Sequence, residues 1–215
     1  MDKINVGLIG TGWCGGIRAN TCAGSPIVDE LHLAEIKEDR LREVAEQTNA
    51  TSATTDYREV IANDDLDTII ISATPETTHY PMAKEALLAG KHVFLEKPLA
   101  LTLDEADELI QIGKDGNLKF AIGYSQRFNP KFAYVKKSLT DKTIGDPVSA
   151  LVSRHVSRGL GKKISSRIKL SPAAMEATHD LDFVLWCMEP AQPVRVYSQT
   201  VYGALQDETG SADGQ

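Results

Sequence analysis

The sequence predicts an α/β protein: a doubly wound parallel sheet over residues 1–122, followed by the start of a second α/β domain over 123–215 that stops before completion. Three observations carry this. Short β-rich runs alternate with helical stretches through the first region, the pattern of parallel strands joined by crossover helices. The runs are nearly all apolar, as strands covered by helices on both faces must be. Charge then changes sign: residues 1–122 hold 11 Lys+Arg against 21 Asp+Glu, whereas 123–215 hold 12 against 9. That asymmetry points to two regions with different work.

The elements follow in order. Ile4–Ile9 reads as a buried strand ending in a glycine-rich turn, and Glu30–Ile36 as a second strand. Asp39–Gln47 is rich in helix formers. Thr68–Ser72 is a near-continuous β-branched run, the mark of an interior strand. Thr77–Ala89 is helical, with Ala83, Leu87 and Leu88 on one stripe and Gly90 where a helix would stop. His92–Leu95 is a strand. Asp104–Lys114 is a helix with Thr102 as its N-cap, and Phe120–Ile122 closes the series. Right-handed crossovers bring the C-terminal ends of such strands to one edge, where ligands bind. The second region starts near Gly123. Pro130–Leu139 and Glu176–Met188 read as helices, Val148–Arg154 and Val194–Val201 as strands. Residues 155–172 show no period, and Asp207–Gln215 is small and polar. About 90 residues with two helices and two strands make a poor independent core.

Composition narrows the function. The chain has 215 residues, 42% hydrophobic and 25% charged, with a net charge of −7, an ordinary globular balance. An acidic chain is the opposite of a dedicated nucleic-acid binder. No apolar run approaches the roughly 18 residues of a membrane helix, and Ile4–Ile9 is too short for a signal-peptide core. Cys14, Cys22 and Cys187 form no C-x-x-C pair and are odd in number, which suits a reducing cytoplasm.

The residues that carry chemistry begin with Gly10-Thr11-Gly12-Trp13-Cys14-Gly15, a G-x-G-x-x-G after a strand and before a helix. Gly10 permits a tight turn, Gly12 lets a pyrophosphate approach the backbone, and Gly15 lets helix and strand pack closely. The helix opening there aims its free N–H groups at the phosphates. Trp13 and Cys14 are the variable loop positions, also expected near the cofactor. Glu35, 20 residues after Gly15, is the candidate anchor for the adenosine ribose; its charge repels a 2′-phosphate and so favours NAD over NADP. Lys37 and Arg40 pull the other way. Lys97, in Glu96-Lys97-Pro98 after the strand His92–Leu95, faces the ligand edge, where an ammonium can steady charge on a substrate oxygen. His179, Asp182 and Trp186 fall on one helix face; His179 can relay a proton and Asp182 can orient its ring. H-x-x-D is too sparse for a metal site, and none is expected. Arg154, Arg158, Lys162, Lys163, Arg167 and Lys169 run without an acid between them. A loop that basic suits an anionic substrate, and equally a solvated surface.

Together these motifs, with Thr74-Pro75 and His79, resemble the Gfo/Idh/MocA oxidoreductase family, named for glucose–fructose oxidoreductase and inositol dehydrogenase. Arg127-Phe128-Asn129-Pro130 and Ile144-Gly145-Asp146-Pro147-Val148 resemble family signposts too, so the likeness spans nearly the whole chain. It implies an N-terminal Rossmann domain holding NAD(P), with Thr74, Pro75, His79, Glu96 and Lys97 joining the glycine loop and Glu35 in the cofactor site. It implies a C-terminal α/β domain that covers the nicotinamide and forms a homo-oligomer interface. Lys97 would contact substrate and cofactor, His179 would be the acid/base, and Arg127 and Asp182 would complete the substrate site. The sequence departs twice. Many members carry aspartate four residues before the histidine, where this chain has Met175; and members usually run well past 300 residues, so a fragment or an unusually short member is expected.

The function expected is hydride transfer between nicotinamide and a sugar- or polyol-like small molecule, without nucleic-acid or membrane partners. The alternatives are a non-catalytic dinucleotide-binding regulator, an inactive fragment of such an enzyme, or a Rossmann reductase with a different second domain. Lys97 and His179 are expected to serve one substrate oxygen, and the Lys97–Pro98 peptide is expected to be cis.

Overall fold

The computed structural model describes residues 3–165 and 172–199. The chain divides between Gly123 and Tyr124 into two compact units, each described by itself.

The first unit is built on six strands: β1 (Ile4–Ile9), β2 (Val28–Ala34), β3 (Ser52–Thr54), β4 (Thr68–Ile71), β5 (His92–Leu95) and β6 (Phe120–Ile122). All neighbours pair in parallel, in the order β3-β2-β1-β4-β5-β6. The helices are α1 (Trp13–Ala23), α2 (Glu38–Thr48), α3 (Tyr57–Ile61), α4 (His79–Leu88) and α5 (Leu103–Asp115). Both sheet faces are covered, which is why the strands lack polar alternation. Val6, Leu8, Leu31 and Leu33 pack with Ala19, Leu41 and Val44 of α1 and α2. On the other face Ile9, Ile69, Ile71, Val93 and Leu95 pack with Val60 of α3, Ala83 and Leu87 of α4 and Leu109 of α5. Strand order reverses between β1 and β4, and a crevice at such a switch point is where doubly wound sheets bind ligands.

The expected strands and helices of this unit are present, with ends shifted by a residue or two. Thr102 caps α5 as expected, accepting from the Glu105 backbone N–H at 3.3 Å. Two elements were not anticipated, the three-residue β3 and the five-residue α3. Asp56 starts α3 by accepting from the Arg58 N–H at 2.9 Å.

The second unit contains α6 (Pro130–Thr140), α7 (Arg158–Ser165) and α8 (Pro172–Met188), after a short 3-10 turn at Ser125–Phe128. Asn129 caps α6 with Pro130 in its first turn, the position where a missing N–H costs nothing. Phe132 of α6 meets Phe183 of α8 edge to face, with ring centroids 4.6 Å apart. Three expectations are corrected here. Val148–Arg154 forms no strand, and neither do residues 194–199 of Val194–Val201; residues 200 and 201 lie outside the described residues, as does Asp207–Gln215. The alternation is in the sequence, but a strand exists only with a partner ladder. Val148, Leu151 and Val194 are each more than nine-tenths exposed. The third correction is α7, a helix inside the segment that shows no period.

Candidate functional site

The glycine loop follows β1 directly. Gly10 has φ +85°, in the left-handed region that favours glycine. A Cβ on Gly15 would lie 1.8 Å from the Gly10 carbonyl oxygen, so only glycine lets α1 start so close to the turn. A Cβ on Gly12 would meet nothing within 4 Å; that side of the loop is open, as a phosphate-binding face must be. Ser72, just past β4, underlies the loop: its Cβ would be 3.3 Å from one placed on Gly15. Its Oγ is buried without a hydrogen-bond partner. That hydroxyl lies on the closed Gly15 side of the loop, whereas the open Gly12 side is the one that fits a bound dinucleotide phosphate.

Glu35 lies one residue past β2. Its Oε2 accepts from the Thr11 backbone N–H at 2.8 Å and from the Thr11 hydroxyl at 3.2 Å, and its Oε1 from the Lys37 N–H at 3.2 Å. The carboxylate is thereby fixed beside the glycine loop. Arg40, one of the two cations weighed against it, sits at the same loop residue. Its Nε donates to the Thr11 carbonyl at 2.8 Å, it pairs with Glu43 at 2.7 Å, and its guanidinium fills the space over Gly16. Trp13 is exposed at the start of α1 and Cys14 is half-buried.

Around Lys97 the arrangement is denser than the motif suggests. Lys97–Pro98 is cis, as expected; Thr74–Pro75 is cis too. Glu96 points its Oε1 at Arg18 of α1 in a largely buried ion pair, while its Oε2 accepts from the Lys97 N–H at 3.1 Å. Thr74 and Pro75 are exposed at the strand edge. His79 differs from the expectation of a cofactor contact. It is 2% exposed, and its ring nitrogens face the Pro98 carbonyl at 2.8 Å and the Ala73 carbonyl at 3.1 Å, so the ring presents no nitrogen to a cofactor. Arg18 was not anticipated. The only sequence signal is its place one turn after Gly15 on the helix that the glycine motif opens.

In the second unit, Asp182 is engaged by Arg127. Both its oxygens accept from Arg127, at 2.8 Å and 2.6 Å, a bidentate pair in which the Asp182 hydrogen bonds hold the guanidinium charged more firmly than usual. Arg127 also lies 5.4 Å from the Trp186 ring centroid, so the pair is stacked as well as bonded. His179 meets the Tyr124 ring edge on at 6.3 Å, and the Tyr124 hydroxyl bonds Thr178 at 3.2 Å. Met175, one turn before His179, is buried. Of the basic segment, Arg154 is paired. Arg154 grips both oxygens of Asp180 and lies 3.8 Å from Glu176. Its hydrogen bonds hold the Asp180 carboxyl below the usual range, so Arg154 is not a charge waiting for an anion. Lys162 is exposed; Arg167 and Lys169 lie outside the described residues, and the side chains of Arg158 and Lys163 are likewise not described. Burial pushes the Cys22 and Cys187 thiols up, which suits packing rather than nucleophilic work. No helix among the described residues is long and apolar enough to cross a membrane.

Known proteins place this geometry. The chain is 31% identical over 147 residues to a myo-inositol 2-dehydrogenase of Thermotoga maritima, covering 67% of this chain and 43% of that protein. It is 32% identical over 154 residues to a levoglucosan dehydrogenase of Pseudarthrobacter phenanthrenivorans, covering 67% and 39%. The chain thus spans less than half the length of these relatives. Among solved structures, a scyllo-inositol dehydrogenase from Lactobacillus casei with bound NAD(H) and scyllo-inositol superposes with TM-score 0.63 and 27% identity, over 67% of this chain and 43% of that one. A probable dehydrogenase from Thermotoga maritima gives 0.72 and 26%, over 86% and 55%. Residues 4–124 match the oxidoreductase family with an NAD-binding Rossmann fold, and the chain belongs to that family, Gfo/Idh/MocA.

Proposed function

We propose that this chain serves an NAD-dependent dehydrogenase that moves a hydride between the nicotinamide and a sugar- or polyol-like alcohol. The observation that carries it is the glycine loop: open at Gly12, closed at Gly15, with a carboxylate fixed beside it at Glu35. Relatives named for inositol and levoglucosan supply the substrate class. Gly10, Gly12 and Gly15 hold the pyrophosphate, with Trp13 and Cys14 at its edge, and Thr74 and Pro75 line the cofactor crevice. Glu35 takes the ribose hydroxyls and disfavours a 2′-phosphate, which makes NAD the preferred cofactor. Bound NAD supplies the hydride acceptor. Lys97 donates a hydrogen bond to the substrate oxygen and steadies the charge that builds there. His179 takes the hydroxyl proton and returns it in the reverse direction. Arg127 and Asp182, locked together, present substrate with a bonded pair rather than a free charge. Association into a homo-oligomer belongs to the same proposal.

Parallel calorimetric titrations with NAD and NADP test the cofactor assignment. NAD is expected to bind more tightly, and Glu35→Ala to narrow the gap. Equal or tighter binding of NADP by the unaltered chain would overturn the role given to Glu35.

A further inference from the structure

Resting on the reading that Lys97 works beside the nicotinamide, we propose that Arg18 and His79 are positioning residues that brace Lys97 from its two sides. A lysine side chain is a long flexible stem carrying a point charge. It can place that charge reproducibly only if the backbone beneath it is fixed. Here each residue flanking Lys97 is held by a side chain from a different helix.

The first brace comes from α1. Arg18 pairs with Glu96 Oε1, and Glu96 Oε2 accepts the Lys97 N–H at 3.1 Å. The side chains of Arg18 and Glu96 are 19% and 14% exposed, so solvent screens the pair little. Arg18 also stands 5.3 Å from the centroid of Phe94 in β5. A Cβ on Gly123 would come within 3.2 Å of Glu96 Oε1 and 3.3 Å of the Arg18 guanidinium, so the neighbourhood is closely filled. The second brace comes from α4. His79 is its first residue, and its ring nitrogens face the Pro98 and Ala73 carbonyls. A neutral imidazole donates to one carbonyl at a time, and its N–H on the Pro98 carbonyl braces the loop after β5, which holds Lys97, while the ring packs against the loop after β4, which holds Thr74 and Pro75.

Support of β5 alone would not call for these groups. A partly buried ion pair and a buried histidine both carry desolvation costs, and apolar residues of similar volume would pack as well. What the polar groups add is direction: their partners are the atoms on either side of Lys97. The link through α1 also gives the arrangement a reference point. Arg18 lies one turn along the helix whose first turn faces the phosphates, so one rigid element sets both the pyrophosphate position and the lysine position.

The test reads Lys97 directly. The chain is treated with an amine-acylating succinimidyl ester, with and without saturating NADH, and modification at Lys97 is measured by peptide mass spectrometry against exposed Lys114. NADH affinity is measured separately by calorimetry. In the unaltered chain NADH is expected to slow acylation of Lys97 several-fold. Arg18→Met and His79→Phe are each expected to lose most of that protection while NADH still binds. Arg18→Lys, which keeps the charge, is expected to retain more protection than Arg18→Met, an ordering that packing volume alone would not produce. Should an apolar variant fail to fold, the near-isosteric Glu96→Gln and His79→Gln decide the matter, since each removes one bond and partial loss is expected in both. Protection that survives intact in every folded variant overturns the braces alone. Absence of protection in the unaltered chain overturns the underlying reading of Lys97, and the braces with it.

Discussion

Gly12 and Gly15 share a motif but differ in what a side chain would meet. At Gly15 a methyl group would meet the Gly10 carbonyl oxygen at 1.8 Å; Gly15→Ala is expected to destabilise the first unit by about 1–3 kcal/mol, the usual penalty of overpacking. At Gly12 the same direction is open. Gly12→Val is expected to cost about 1 kcal/mol or less in stability yet to lower NAD affinity strongly, because the branched side chain enters the phosphate face. Urea unfolding and calorimetry on both variants separate the two effects. In the second unit, Arg154 holds the Asp180 carboxyl below its ordinary range. A depressed folded-state pKa contributes stability at pH values above the unfolded value, about 3.9, and that contribution is lost as pH falls through the folded value. Asp180→Asn is therefore expected to flatten the acid limb of the unfolding curve below about pH 4 while leaving its neutral-to-basic shape unchanged. Thermal melts across that window check it.

At the scale of elements, Lys91 shows how the sheet is closed. It is buried between α4 and β5, and its ammonium donates to the carbonyls of Asn63 and Leu66, at 2.8 Å and 2.9 Å, in the turn before β4. Lys91→Met would leave the Leu66 carbonyl without a donor and the Asn63 carbonyl with only the Leu66 N–H, and is expected to cost about 1–3 kcal/mol, read as a lowered denaturant midpoint with an unaltered slope. Nothing in the sequence marks Lys91 as anything but a surface lysine, and the reason is general. Local pattern reports which way a side chain faces, not which distant carbonyl it reaches. The strands β1, β4 and β5 were legible because apolar β-branched runs between turns admit few other conformations. The motif residues were legible because glycine at Gly10 and Gly15 answers to backbone geometry. The short β3 and α3 were not, since three and five residues are too few for a period to show. The helix α7 was hidden by its Lys, Gly and Ser content. Val148–Arg154 and residues 194–199 failed in the other direction: alternation gives a chain two faces, but only a neighbouring ladder makes it a strand. At the site, Lys97 and Glu96 were read from the motif, whereas Arg18 became visible only once α1 was laid against β5.

At the scale of the whole molecule, the match to an NAD-binding Rossmann fold coincides with the first unit. A ligand that binds only the folded state stabilises it by mass action, so NAD at about a hundred times its dissociation constant is expected to add roughly 2.7 kcal/mol to the first unit. Scanning calorimetry with and without NAD would show an upward shift in the transition of that unit, larger than NADP produces at the same concentration. The central claim is hydride transfer itself, and it is tested most directly with a polyol deuterated at the carbinol carbon, incubated with this chain and NAD. The account predicts that deuterium appears in the reduced nicotinamide, and that Lys97→Ala and His179→Ala each slow its appearance by roughly 10²–10⁴-fold while NAD affinity stays nearly intact. Bound NAD that remains oxidised and unlabelled against a panel of inositols and sugars would contradict it, and would leave a dinucleotide-binding protein without turnover.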